Sequence, residues 1–169
     1  MIPFYDEVRI TDNLLTHDDV KLLYGYFINA PFTLKHRSDA LKQSIHKAQL
    51  AHFLTNEELD HPVVQKIIQS CTNLKHIIRI YVQVYTESTE PIMHRDNSFK
   101  TSITFLHPEY DVNWGGEFII YGEETVGMAI QPLSGRNVNF PGGRLWHLGR
   151  PFLSKSKTNR FILTVAYND

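Results

Sequence analysis

The chain has 169 residues, 42% hydrophobic and 12% aromatic, with a formal charge of −1 and a pI of about 6.8. That length suits one domain with a sizeable core, and the balanced charge excludes both a basic nucleic-acid footprint and an acidic tail. The single cysteine, Cys71, excludes an internal disulfide framework, and no run of about 18 apolar residues reads as a membrane span.

Acidic residues follow the first few positions at once (Asp6, Glu7), so no signal peptide is read there. The expectation is a soluble, cytoplasmic protein. Residues 4–10 alternate modestly, as a short strand does. Residues 17–29 place Val20, Leu23, Tyr24 and Phe27 three and four apart, the period of an amphipathic helix. Thr16 suits its N-cap, and Asp18 and Asp19 suit its first turn, where they meet the positive end of the dipole. Residues 33–56 carry many charges and few aliphatics, which predicts a partly helical excursion and a candidate lid. Residues 57–73 read as a second helix, with Thr55 or Asn56 as its cap.

From Lys75 the period changes to two. Ile78, Ile80, Val82 and Val84 alternate with Arg79, Tyr81, Gln83 and Tyr85. Strand-like runs follow at 99–106, 117–121, 128–131, 137–140 and 160–167, separated by Gly- and Pro-rich turns. The layout is helices first (1–74, a support) and then a β body (75–169), all in one domain. The predicted class is mostly β with flanking helices.

The chemistry lies at the end of the first long strand. His94 and Asp96 are two apart, so an extended chain points both to one side. His147 lies just past another strand-like run. Two imidazoles and one carboxylate on one face of a metal leave the opposite face open, the facial triad of non-haem Fe(II) oxygenases. A second His-x-Asp, His17 to Asp19, sits at a helix start and reads as capping chemistry instead. Arg160 opens the last strand, on a face otherwise made of modest side chains. A guanidinium buried there needs an anionic partner, and its fork fits a carboxylate.

From about Ile78 to Tyr167 the chain resembles the Fe(II)/2-oxoglutarate-dependent dioxygenases, specifically the prolyl 4-hydroxylase-like branch. The features come in order: a strand ending in Tyr85, His94-x-Asp96, Trp114-Gly115-Gly116-Glu117-Phe118, then Pro132, Gly135 and Phe140, then His147 and Arg160. The resemblance implies a double-stranded β-helix, a jelly roll. It implies Fe(II) held by His94, Asp96 and His147, and 2-oxoglutarate held by Arg160 and Tyr85. It implies O₂-dependent hydroxylation of a substrate C–H, with release of succinate and CO₂ and with ascorbate as an accessory reductant. The substrate class it suggests is a prolyl residue in a peptide or protein, with a free amino acid or small metabolite as runner-up. A non-catalytic metal-binding jelly roll is the alternative of a different class.

Some relatives carry a tyrosine where this chain has Phe105. Thr101, Ser102, Thr104 or Thr164 are the candidates to replace its hydroxyl, and Arg150 is a rival to Arg160. Trp146, Arg144 and Arg150 are candidates for the mouth of the site.

Overall fold

A computed structural model describes residues 4–35, 49–122 and 126–169. Two antiparallel sheets face each other. The larger is built from β1 (Arg9–Thr11), β2 (Thr33–Lys35), β3 (Gln49–Phe53), β4 (His76–Tyr85), β5 (Lys100–Phe105), β8 (Asn137–Phe140) and β10 (Arg160–Asn168), in the order β1-β8-β5-β10-β4-β3-β2. The smaller contains β6 (Phe118–Tyr121), β7 (Val126–Ile130) and β9 (Trp146–Gly149), in the order β7-β6-β9. The predicted jelly roll is borne out.

Strand alternation divides the core in two. Ile80, Val82, Val84, Leu163 and Val165 point away from the smaller sheet. They meet Val20, Leu23 and Phe27 of α1 (His17–Phe27) and Val63, Val64 and Ile67 of α3 (Pro62–Gln69). The opposite row carries Tyr85, Ile103, Phe105, Val138, Phe140 and Ile162, which meet Phe118, Ile120 and Ile130 between the sheets. This second core is the wall of the site.

The helix starts follow the capping chemistry. Thr16 accepts from the Asp19 N–H, and Asp19 accepts from the Thr16 N–H, a reciprocal capping box. Asp19 therefore serves the helix, as expected, and His17 is the first residue of that helix. Residues 57–73 do not form one helix. A short α2 (Asn56–Leu59), capped by Thr55, ends before α3, whose first residue is Pro62. Proline lacks the N–H that an unbroken helix needs there, whereas at N1 that loss costs nothing.

Residues 4–10 differ from the expected strand: Phe4–Glu7 form a 3₁₀ turn, and pairing starts at Arg9. The described parts of the segment 33–56, residues 33–35 and 49–56, hold more regular structure than their composition suggests. Its two ends are the strands β2 and β3, which extend the large sheet through Leu50↔Val84 and Phe53↔Tyr81. The middle of the candidate lid, residues 36–48, lies outside the described residues. Strand β9 was not foreseen, because Trp146-His147-Leu148-Gly149 is too short to show a period.

Candidate metal and anion site

His94 lies beyond β4, and an isolated bridge ties it to β9. The His94 N–H donates to the His147 carbonyl at 2.9 Å, and the reverse bond is also 2.9 Å. Sheet pairing thus joins two ligands 53 positions apart in sequence. The Asp96 N–H donates to the Gly142 carbonyl at 2.9 Å, which brings in the third.

One ligand atom from each of His94, Asp96 and His147 lies within 4.8 Å of the others. Asp96 Oδ1 is 3.7 Å from His94 Nε2, and Oδ2 is 3.5 Å from His147 Nε2. These gaps are too long for direct hydrogen bonds and leave the carboxylate and both imidazoles aimed at one point. Each histidine has its other nitrogen occupied. His94 Nδ1 lies 2.9 Å from the Ile92 carbonyl, and His147 Nδ1 lies 2.9 Å from the Leu145 carbonyl. A carbonyl accepts only, so Nδ1 carries the proton and Nε2 keeps its lone pair for a metal. Among the described residues this is the one group of three with metal-ligand spacing.

The Thr101 hydroxyl donates to Asp96 Oδ2 at 2.5 Å and fixes the rotation of the carboxylate. Burial works to raise the Asp96 pKa. His147, this hydroxyl, His94 and Arg79 outweigh it, and the carboxyl sits below its ordinary value. The anionic form, the one that ligates, is therefore favoured. Gly142 makes room for the pair: a Cβ there would lie 2.2 Å from Thr101 Oγ1 and 2.6 Å from Asp96 Oδ2.

Arg160 opens β10 opposite Tyr85, with 0% exposure. Its guanidinium carbon lies 4.7 Å from the Tyr85 ring centre and 5.2 Å from that of Phe105. None of its three nitrogens has a hydrogen-bond partner. Burial lowers its pKa, while Tyr85 and Glu117 work the other way. A buried cation with an empty fork is costly, and a carboxylate ligand removes that cost. Two glycines shape its cradle. A Cβ at Gly149 would lie 2.8 Å from Nη1. At Gly116, with φ +83°, a Cβ would lie 2.5 Å from the Phe152 ring and 3.5 Å from Arg160 Cδ.

The structure thus brings all five sequence candidates, His94, Asp96, His147, Arg160 and Tyr85, to the space between the sheets. Arg150 is exposed, and its N–H bonds the Glu117 carbonyl. The four candidate hydroxyls are already engaged. Thr101 serves Asp96. Ser102 and Thr104 point to the other face, where Asn137 donates to each at 2.8 Å. Thr164 donates to Gln83 at 3.4 Å. At the rim, Trp146 is 41% exposed and carries the Arg95 guanidinium 4.7 Å over its ring, while Arg144 pairs with Glu7. Sequence reasoning missed the Thr101–Asp96 bond and the cradle glycines Gly142 and Gly149. Thr101 shares the inward face of β5 with Ile103 and Phe105, but its bond to Asp96 is made across the loop between them, which no strand period marks.

No protein-family model matches the chain, and no curated protein sequence matches it. Solved structures do. A prolyl-4-hydroxylase of Pseudomonas putida superposes with a TM-score of 0.70 at 15% identity, over 96% of this chain and 93% of that one. A Trichoplax adhaerens prolyl hydroxylase, solved with a peptide fragment of the oxygen degradation domain of hypoxia inducible factor, gives 0.73 at 20% identity, over 95% and 83%. HygX of Streptomyces hygroscopicus, solved with nickel and 2-oxoglutarate, gives 0.66 at 10% identity, over 95% and 82%. The fold is that of the 2-oxoglutarate–Fe(II) oxygenases.

Proposed function

We propose that the chain is an Fe(II)- and 2-oxoglutarate-dependent oxygenase that hydroxylates a substrate C–H and releases succinate and CO₂. The observation that carries this reading is the buried, unpartnered fork of Arg160 in the same interior as two histidines and an aspartate. Gly149, against the fork, is two residues beyond His147 on β9. Two strand residues span about 6–7 Å, a separation that suits a short diacid with one end at the metal and the other at Arg160.

His94, Asp96 and His147 would hold the iron, which when bound supplies the O₂-dependent oxidising chemistry. Thr101 holds the carboxylate ligand in its orientation. The Ile92 and Leu145 carbonyls hold the imidazole tautomers. Arg160 binds the far carboxylate of the cosubstrate, Tyr85 flanks it, and Phe105, Phe118 and Phe140 keep water from the walls. A merely structural metal site has no use for the open fork of Arg160, so the non-catalytic module is the weaker account.

For the substrate we infer a peptidyl proline. Support comes from the named activities of the Pseudomonas and Trichoplax proteins, whose fold this chain shares over almost its whole length. The setting that belongs with this reading is one cytoplasmic domain with Cys71 reduced; among the described residues no helix is long and apolar enough to cross a membrane.

The test is anaerobic metal titration followed by succinate release with O₂, 2-oxoglutarate and proline-containing peptides. The expected result is one Fe(II) per chain and peptide-stimulated succinate. His94→Ala and His147→Ala should each abolish both, and His17→Ala should abolish neither. Full activity in either of the first two variants refutes the triad. Stimulation only by free amino acids refutes the peptide assignment.

A further inference from the structure

The inward row of β4 carries a second arginine, at the metal end. Arg79 is paired across the sheet with Ala166, and Ala166 with Thr101, the residue that holds Asp96. A methyl group is all that stands between the arginine and the threonine, so the sheet leaves room for a long side chain to lean toward the triad. The row ends there by construction. Pairing with β10 passes from Ala166↔Arg79 to Tyr167↔Ile77, which leaves Ile78 as the extra residue of a bulge. Beyond it the alternation is reversed, and Ile77 packs on the helix side with Ile80 and Val82. A bulge beside a site is a device for aiming a side chain, and the side chain aimed here is Arg79.

Its surroundings are those of a binding group. The guanidinium carbon lies 5.5 Å from the Tyr81 ring centre, which supports it on one side. Its Nε is buried and has no hydrogen-bond partner. Its charge is felt at Asp96. That carboxylate is committed elsewhere once a divalent metal binds, because two neutral imidazoles and one carboxylate leave the metal centre with a net positive charge. Among the described residues Met93, Phe99 and Trp146 are exposed and apolar, Arg95 stacks on Trp146, and Asp169 is paired with Lys100. The mouth is apolar and cationic together.

We propose that Arg79 binds a carboxylate on the substrate, so that the site selects substrates with an acidic group near the reacting C–H. This rests on the oxygenase reading and adds the substrate class to it. The bidentate fork supplies geometry as well as charge, so the acidic group helps to fix which C–H faces the metal.

The experiment uses the whole chain loaded with Ni(II) and 2-oxoglutarate, and two fluorescein-labelled pentapeptide libraries centred on proline. One library carries glutamate at the flanking positions and the other carries glutamine, which has the same shape without the charge. Fluorescence polarisation should show the glutamate library bound at least about tenfold more tightly, the size of one good charged pair. Arg79→Gln should erase the preference, Arg79→Lys should keep part of it, and all three proteins should bind metal and 2-oxoglutarate within about threefold of one another. Arg79→Met keeps the apolar stem over Tyr81 and gives the same answer if the glutamine variant does not fold. Equal binding of the two libraries, binding of neither, or a preference that survives Arg79→Gln overturns the proposal. So does a large loss of metal affinity with the preference intact, which would make Arg79 a support for Asp96. The oxygenase reading is judged separately, by whether 2-oxoglutarate binding needs Arg160.

Discussion

Gly149 and Arg160 touch across the two sheets: the strand that carries the distal histidine ligand passes so close to the buried guanidinium that a Cβ would lie 2.8 Å from Nη1. The backbone there does not require glycine, because its φ is not in the left-handed region. The space requires it. Gly149→Ala should therefore fold, at a cost of about 1–3 kcal/mol for the overpacking, and should displace the fork. The expected outcome is 2-oxoglutarate binding weakened roughly tenfold or more in calorimetry, with metal affinity nearly unchanged. Unchanged cosubstrate affinity would show that the fork has slack.

Thr101 should matter for the metal and not for the cosubstrate. Its hydroxyl holds Asp96 at 2.5 Å, and outer partners of this kind are worth about 10–100-fold in metal affinity. Thr101→Val keeps the shape and removes the donor, so Mn(II) or Fe(II) affinity should fall by that factor. Thr101→Ser should restore most of it. Equal metal affinity in the valine variant would show that backbone pairing alone orients Asp96.

His107 makes acid stability a test of the core. The ring has 0% exposure, Nε2 donates to the Pro132 carbonyl, and Nδ1 has no partner. Burial, helped by the field of Arg160, pushes its pKa down to about 4. The folded value lies below the unfolded one, so between pH 4 and about 6.5 the unfolded chain binds the extra proton. Stability then rises with pH across that window and is lost as pH falls through it, by roughly 3 kcal/mol in total for this group. Denaturant melts of the metal-free protein at pH 4.5 and 6.5 should show that slope, and His107→Phe should flatten it even if it lowers stability at both values. An equal slope in the variant would assign the acid sensitivity to other groups.

The legible parts of the molecule were those that local physics determines. The cap at Thr16, the alternation of β4 and the face shared by His94 and Asp96 all follow from residues a few positions apart. The convergence of His94 with His147 did not, since it is made by pairing with β9, too short to announce itself. The engagement of Thr101 was legible as a position and not as a role. As a hydroxyl on the inward face it was available to either anion, and only the loop from Pro141 to Gly143, folding Asp96 against Gly142, decides which it serves. Charge density made 33–56 look like an excursion, yet its described ends pair as strands, because β4 offers an edge to β3 and β3 offers one to β2. The break before α3 was written in Pro62 and outweighed by the apolar period around it.

The sharpest test of function concerns Arg160 and its neighbour Phe105. The fork is buried without a partner, and the nearest rings offer it faces. Arg160→Lys keeps a charge but loses the planar pair of donors, so 2-oxoglutarate should bind moderately more weakly. Arg160→Ala removes the cation from the cradle and should cost roughly 2–5 kcal/mol of binding in this desolvated site. Metal affinity should survive both changes, because Arg160 is not a ligand. Arg150→Ala is the control and should bind 2-oxoglutarate normally, its side chain being in solvent. Phe105→Tyr places a hydroxyl beside the fork. If the far carboxylate lies where the fork requires, this variant should bind the cosubstrate more tightly, by about 1 kcal/mol for one added hydrogen bond. Calorimetry with 2-oxoglutarate on the Mn(II)-loaded proteins gives all four answers. Loss of binding in Arg150→Ala with retention in Arg160→Ala would move the anion site to the outside of β9. Indifference to both, with no keto acid consumed, would leave a metal-binding jelly roll as the better account of the chain.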